Sequence, residues 1–426
     1  MSSFFKVLHK SKKSKARLGE IKTDHGIIKT PGFIAAATKG TIKSLSPQLI
    51  KEIGIQAGCV NTYHLVTHPG AEIIEKAGGI HKYAQLNIPL MSDSGGFQVF
   101  SLARKQNQRS NIKDQKYILN IKNSITKKAN IRGEEQPLLV KISEDGVKFR
   151  SMFDGKLIEF TPEKSMEFQR KIGADINMAF DECTYYPSTH EYAEKAMERT
   201  HEWLERCVNF KARQRNFLSQ RGPLHSTPYT LQPNQYLYGV IQGGTFEDLR
   251  KKSAEFVVSQ DTPGVAIGGV SVGETKKEMR DQVRWVSDYL PKDRPVHLLG
   301  VGQIDDIIDL VKYGIDTFDC VEPTRLARMG TIYQARWGLL HPESEKNLRP
   351  SLVQQIDIYK SIYKNNLEKV DIDCNCYVCK NFTKSYLHHL FKQREILGYT
   401  LATFHNLWVM EKLFEKIREV IINDNI

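Results

Sequence analysis

Tyr236-Leu-Tyr-Gly-Val-Ile-Gln242-Gly-Gly244 and, one amphipathic stretch later, Gly264-Val-Ala-Ile-Gly-Gly-Val270 decide the fold: each is a short apolar run that stops on glycine or a polar side chain. Continuous apolar runs separated by helical patterns mark strands buried on both faces, as in parallel α/β sheets. The same rhythm recurs at Ile27 to Thr38, Ala57 to Tyr63, Ile88 to Asp93, Ile176 to Asp181, Val296 to Gly300 and Thr317 to Val321, which makes eight candidate strands. Eight parallel strands alternating with helices close into a barrel, so the sequence predicts a (β/α)8 TIM barrel with insertions and a C-terminal zinc-binding subdomain.

The length and balance fit that reading. The chain has 426 residues, 40% hydrophobic and 26% charged, which excludes a disordered or fibrous protein. The expected division is a catalytic barrel over 1–345, with insertions near 104–160 and 212–235, followed by a zinc-binding part over 346–426. Asp145-Gly146 and Asp154-Gly155 within the first insertion predict short antiparallel strands. The formal net charge of +12 favours a polyanionic partner such as nucleic acid. No run of about 18 apolar residues and no signal-peptide pattern occurs, which predicts a cytoplasmic protein without a membrane partner.

In a barrel of this kind, chemistry gathers where the strands end. Asp93, Asp181, Gln242, Gly269 and Asp319 all fall at or just after a strand's last residue. Two carboxylates over one cavity suit substitution at a sugar's anomeric carbon: one attacks the carbon while the other moves protons. Asp181 can accept two hydrogen bonds and Gln242 can donate one, the pattern that guanine's edge requires, while the backbone at Gly269 can approach a flat ring. Phe97 and Leu299 could sandwich such a ring. Arg325 and Arg328, just after Asp319, and Lys312 before it are candidate phosphate contacts.

Near the C-terminus, Cys374-x-Cys376-x-x-Cys379 with His405 offers three thiols and an imidazole, a closed tetrahedral set for one structural Zn2+. His388 and His389 compete for the fourth position, and His405 is preferred because a helix could return its ring to the cluster.

Asn61-Thr-Tyr-His64-Leu, Ser92-Asp93-Ser-Gly-Gly-Phe97-Gln-Val, Met178-Ala-Phe-Asp181-Glu-Cys183-Thr, Gly239-Val-Ile-Gln242-Gly-Gly, Ile267-Gly-Gly269-Val-Ser-Val272-Gly-Glu274 and Phe318-Asp319-Cys-Val-Glu-Pro-Thr-Arg325, together with the Cys3His set, closely resemble the bacterial tRNA-guanine transglycosylases. The resemblance covers nearly the whole chain outside the two insertions. It implies exchange of guanine at the wobble position of GUN-anticodon tRNAs for the 7-deazaguanine preQ1 on the queuosine pathway, through a covalent Asp-ribose intermediate. By position, Asp319 is then the nucleophile and Asp93 the general acid/base, held near Asn61 and His64. Asp181, Gln242, Gly269 and Val270 contact the base, Phe97 and Leu299 flank it, and Glu274 steadies a switchable peptide near Val270. Val272 with Cys183 implies preQ1, whereas the Pro295-Val-His-Leu-Leu-Gly and His405-Asn-Leu stretches are similar to relatives that salvage queuine. A homodimer is also implied, with Phe382, Tyr386 and His389 at its aromatic patch, although tryptophan is expected where Phe382 stands.

A non-catalytic tRNA-binding accessory subunit is the rival, and the presence of both Asp93 and Asp319 argues against it. A zinc hydrolase would need histidine pairs at the strand ends, which carry aspartates and glycines instead.

Overall fold

The computed structural model describes residues 4–97, 140–151, 154–220, 234–335 and 353–426, the last six residues of the helix ending at 220 and residues 140 and 141 by backbone alone. Much of the predicted insertions near 104–160 and 212–235 lies outside the described residues, at 104–139 and 221–233.

Eight parallel strands close into a barrel in which neighbours are hydrogen-bonded all round. In chain order they are β4 (Gly32–Ala36), β5 (Gly58–Val60), β6 (Leu90–Ser92), β10 (Ile176–Met178), β11 (Tyr236–Ile241), β12 (Gly264–Ile267), β13 (Val296–Leu298) and β14 (Thr317–Cys320). Between them run α1 (Pro47–Ile53), α2 (Thr62–Thr67), α3 (Ala71–Lys76), α4 (Ile80–Ala84), α5 (Pro162–Ile172), α6 (His190–Gln220), α7 (Glu247–Ser259), α8 (Lys276–Val286) and α9 (Ile304–Val311). Local chemistry sets several of these boundaries. Thr275 caps α8 in a reciprocal capping box with Glu278, and Thr161 caps α5 with Pro162 at its first turn.

The first predicted strand is corrected: Ile27 to Thr38 is two strands, not one. Pro31 has no N–H to donate, and the chain divides there into β3 (Gly26–Thr30) and the barrel strand β4. β3 pairs antiparallel with β2 (Arg17–Thr23), which pairs with β1 (Phe5–Lys10). Phe5, Ile21 and Ile28 of this small sheet pack with Tyr238 and Met91 of the barrel interior, closing the end where the strands begin. Arg17 clamps it there through a two-pronged pair with Asp316, at 3.0 and 2.6 Å.

The predicted antiparallel strands are present as β7 (Val140–Ser143), β8 (Gly146–Arg150) and β9 (Leu157–Phe160), with Ser143 opposite Gly146 across a two-residue turn. Gly146 has φ +143°, and a Cβ there would lie 2.2 Å from the Phe160 carbonyl oxygen, so this corner admits only glycine.

After β14 come α10 (Glu322–Arg328), β15 (Thr331–Ala335) and β16 (Val353–Asp357), then α11 (Tyr377–Asn381), α12 (Lys384–Gln393) and the long α13 (Ile396–Ile422). α13 packs on α10, β4 and α1, and its Phe414 ring lies 5.8 Å from Phe318 and 6.2 Å from Phe33. It thereby covers the seam between β14 and β4 where the barrel closes. Among the described residues, no helix is long and apolar enough to cross a membrane.

Candidate active site

Alternation along the strands decides which side chains reach the barrel interior. Ile267, Leu298 and Phe318 pair in register across β12, β13 and β14 and pack outward against the helices. Their neighbours Ala266, His297, Thr317 and Asp319 therefore point inward. Asp319 pairs in register with Ile34 of β4, and Asp93 follows directly on β6, with only β4 and β5 between them around the wall. Both carboxylates thus stand at the C-terminal mouth.

The two acids lie close enough to act on each other's charge. Burial pushes the Asp93 carboxyl up to about 7, and the charges of Asp319 and Asp181 add to that rise, against backbone N–H donors from Thr62 and Gly95. Cys59 of β5 lies within range of both acids, and its thiol is raised first by burial and then by Asp319 and Asp93. Asn61 orients Asp93: it caps α2 by accepting from the His64 backbone N–H at 3.0 Å while its own amide donates to Asp93 Oδ2. The Thr62 N–H donates to Oδ1 at 2.8 Å.

Asp319 is held on one oxygen. The Gly300 N–H donates to Oδ1 at 2.9 Å, and His297 Nε2 lies 3.2 Å from the same atom. Among the described residues Oδ2 has no partner, so one carboxylate oxygen remains free to react.

Asp181 and Gln242 meet beside this pair. Ser94 donates to Asp181 Oδ1 and the Gln242 amide to Oδ2, both at 2.7 Å. Burial raises the Asp181 carboxyl in spite of those donors. Gln242 Oε1 is buried without a hydrogen bond among the described residues. Gly269, at φ +63°, closes the other side: a Cβ there would sit 2.2 Å from Gln242 Oε1. Glu182, next to Asp181, turns outward and accepts from Tyr192 at 2.5 Å and from Arg199, which fixes the loop.

Arg250 is the residue that the sequence did not single out. It is fully buried and donates to the carbonyls of Gly244, Gly268 and Gly269 at 2.7, 2.6 and 2.8 Å, to Ile241 at 3.3 Å and to Gln282 at 2.6 Å. One guanidinium thus ties the loop after β11 to the loop after β12. Burial lowers it to about 10, a fall that Cys183 and Glu274 only partly offset.

At the rim, Leu299 is half-buried and Phe97 is 47% exposed. Glu274 accepts from the backbone N–H groups of Ser271 and Val272, the latter at 2.8 Å, and Ser271 takes a positive φ of 61°. Cys183 is raised by burial and by Asp181, with Arg250 and Glu274 also in range. Val270 is buried and Val272 partly so. Arg325 is exposed on α10, and Arg328 is half-buried, donating to the Thr324 carbonyl at 2.7 Å. Neither forms an ion pair among the described residues, and their mutual repulsion together with burial lowers Arg328. Lys312 is a correction: at the end of α9 it lies where β14 begins, its carbonyl accepting from Lys15, on the face of the barrel opposite Asp319.

The C-terminal cluster forms as expected. His405 Nδ1 lies 3.8, 3.4 and 3.3 Å from the Sγ atoms of Cys374, Cys376 and Cys379, and all four residues are buried. These spacings fit four ligands around one tetrahedral ion. His405 Nε2 faces the Tyr333 carbonyl at 2.7 Å, which turns Nδ1 to the thiols. His388 instead bonds the Ile358 carbonyl at 2.7 Å. A second group, His25, His81 and Asp175, also brings one ligand atom from each residue within 4.8 Å of the others; its two rings stack 3.4 Å apart at 5°, each facing its own Asp175 oxygen.

Comparison with known proteins agrees with this geometry. A profile described as queuine tRNA-ribosyltransferase matches residues 11–135 and 130–426. The queuine tRNA-ribosyltransferase of Thermoanaerobacter pseudethanolicus is 41% identical over 99% of this chain and 94% of its own. Those of Synechococcus elongatus and Lysinibacillus sphaericus are 38% and 37% identical, each over 99% of this chain and 91% and 93% of theirs. The chain belongs to the queuine tRNA-ribosyltransferase family.

Proposed function

We propose that this protein exchanges the guanine at the wobble position of GUN-anticodon tRNAs for preQ1 through a covalent link between Asp319 and the ribose. The observation that supports the reading is that Asp93 and Asp319 stand at the same mouth of the barrel, with Asp93 raised to about 7 and Asp319 Oδ2 without a partner among the described residues. In the first displacement, Asp319 Oδ2 bonds to C1′ as the C1′–N9 bond breaks, and protonated Asp93 supplies the proton to the departing base. In the second, Asp93 takes the N9 proton of the incoming base, N9 bonds to C1′, and the ester returns to carboxylate. Two inversions retain the β-configuration. The target nucleotide leaves its stack to reach the cavity, which is least costly in a loop.

Asp181 and Gln242 are proposed to read the base edge, with Gly269 supplying backbone and Phe97 and Leu299 flanking the ring. Because Glu274 engages the Ser271 N–H, the Val270 carbonyl of the same trans peptide is turned away from Glu274, where it can accept from an aminomethyl cation. That supports preQ1, as does the bulk of Val272. Arg325 and Arg328, cations without carboxylate partners among the described residues, are proposed phosphate contacts.

The Cys3His set suits Zn2+, whose bound energy would hold α11 to α13. Phe382, Tyr386 and His389 stack in sequence, with ring centroids 5.5 and 6.5 Å apart, and Tyr386 is 39% exposed, which supports a homodimer through this patch. The barrel over 1–345 and the zinc-binding part are proposed to act as one body, since β15 pairs with β16 across that boundary. A tRNA substrate supports a cytoplasmic enzyme.

The test is displacement of labelled guanine from the wobble position of unmodified tRNA by preQ1, preQ0 and queuine in competition. PreQ1 is expected to displace it at the lowest concentration. Preference for queuine would make this a salvage enzyme, and no displacement by any of them would refute the exchange reading.

A further inference from the structure

We infer that His297 is a positioning residue for Asp319, its Nε2–H and the Gly300 backbone N–H together holding Oδ1 so that Oδ2 is presented to the sugar. The inference rests on the exchange reading above. His297 is fully buried on the inner face of β13, one layer beneath Leu299. Its Nδ1 lies 2.9 Å from Thr317 Oγ1 and its Nε2 lies 3.2 Å from Asp319 Oδ1. The second contact is at hydrogen-bond distance but is not aligned as a full bond, and Nε2 has no other partner among the described residues. Such contacts tighten when substrate settles in the site.

Donation to Asp319 requires one tautomer. A carboxylate oxygen only accepts, so Nε2 must carry the hydrogen that faces it, and Nδ1 then accepts from the Thr317 hydroxyl. The opposite tautomer would let Nδ1–H donate to Thr317 Oγ1 but would set the Nε2 lone pair against the Asp319 carboxylate.

Holding Oδ1 serves both displacements. While Oδ2 attacks C1′, two donors on the other oxygen keep the carboxylate from rotating. In the covalent intermediate Oδ1 is the ester carbonyl oxygen. As the C1′–Oδ2 bond breaks in the second displacement, the electron pair returns to the carboxylate, and the same donors stabilise the charge that develops there. Loss of His297 donation should therefore slow turnover, the second displacement above all, without weakening either substrate's binding.

The experiment compares His297→Gln, which keeps an N–H donor at similar reach, with His297→Leu, which keeps bulk alone, and with Thr317→Val, which removes the hydroxyl that sets the tautomer. Each is assayed for kcat, for KM toward tRNA and base, for the fraction of enzyme trapped as covalent tRNA adduct during turnover, and for melting temperature. His297→Leu is expected to lose kcat on the order of tenfold to a hundredfold, with KM within about twofold and a raised adduct fraction. His297→Gln should retain most of kcat, and Thr317→Val should lose several-fold while melting like wild type. If His297→Leu does not fold, the Thr317→Val and His297→Gln results decide. The inference is overturned if His297→Leu folds and turns over like wild type, if His297→Gln is as impaired as His297→Leu, or if only KM changes. Wild-type enzyme without exchange would count against the function itself, a result separable from these.

Discussion

Gln242 donates its amide to Asp181 Oδ2 at 2.7 Å, so the two side chains proposed to read the base are joined to each other. A guanine edge has to replace that bond, giving the carboxylate two donors and the amide a carbonyl. Asp181→Asn offers one acceptor where two are needed and leaves a purine donor buried without a partner. Affinity for guanine and preQ1 is expected to fall by about 1–3 kcal/mol, roughly fivefold to 150-fold. Competition against labelled guanine measures it, and unchanged affinity would remove Asp181 from base recognition.

Asp93, raised to about 7 chiefly by burial, can give and take a proton near neutrality. The limb of the exchange-rate profile that it governs is expected near pH 7. Asn61→Ala removes a donor that favours the charged carboxylate, so protonation becomes easier and that limb should move to higher pH. Asp93→Asn should lose about a hundredfold or more in kcat. Rates measured from pH 5 to 9 in the three proteins check the sign.

Arg250 braces the Gly243–Gly244 and Gly268–Gly269 loops from beneath through five acceptors. Arg250→Met keeps bulk but strands several buried carbonyls, with an expected cost of about 3 kcal/mol or more. Denaturant unfolding should show that loss, and the KM for the base should rise because Gly269 is no longer held against Gln242.

Much of the barrel is written in the apolar runs, because strands covered on both sides need continuous hydrophobic sequence, and their polar endings mark the mouth. Ile27 to Thr38 misled only where Pro31 divides two different sheets. The site acids stand out for the same reason: Asp93, Asp181 and Asp319 are charges at the ends of apolar runs. His297 was legible by parity, two residues before Leu299 on the inner face, but a histidine inside a strand carries no mark of its partner. Arg250 gave no signal. It follows Leu249 in a helix otherwise rich in lysine and glutamate, where an arginine reads as one more solvated charge, and only the fold reveals the carbonyls converging on it.

His405 joins α13 to the three cysteines, and through Phe414 the same helix covers the barrel seam. His405→Ala is therefore expected to lower bound zinc from about one ion per chain to a small fraction and to reduce the melting temperature of the whole protein in a single transition. Elemental analysis and calorimetry measure both. Full metal content in this variant would rule His405 out as a ligand.

The central claim is that Asp319 bonds to the ribose while Asp93 handles the proton. Denaturing electrophoresis of enzyme quenched during turnover with radiolabelled tRNA tests it most directly. A slow-migrating protein–tRNA band is expected for wild type, absent in Asp319→Ala, and assigned by peptide mapping to Asp319. A band of equal strength in Asp319→Ala, or wild-type exchange in that variant, would contradict the account.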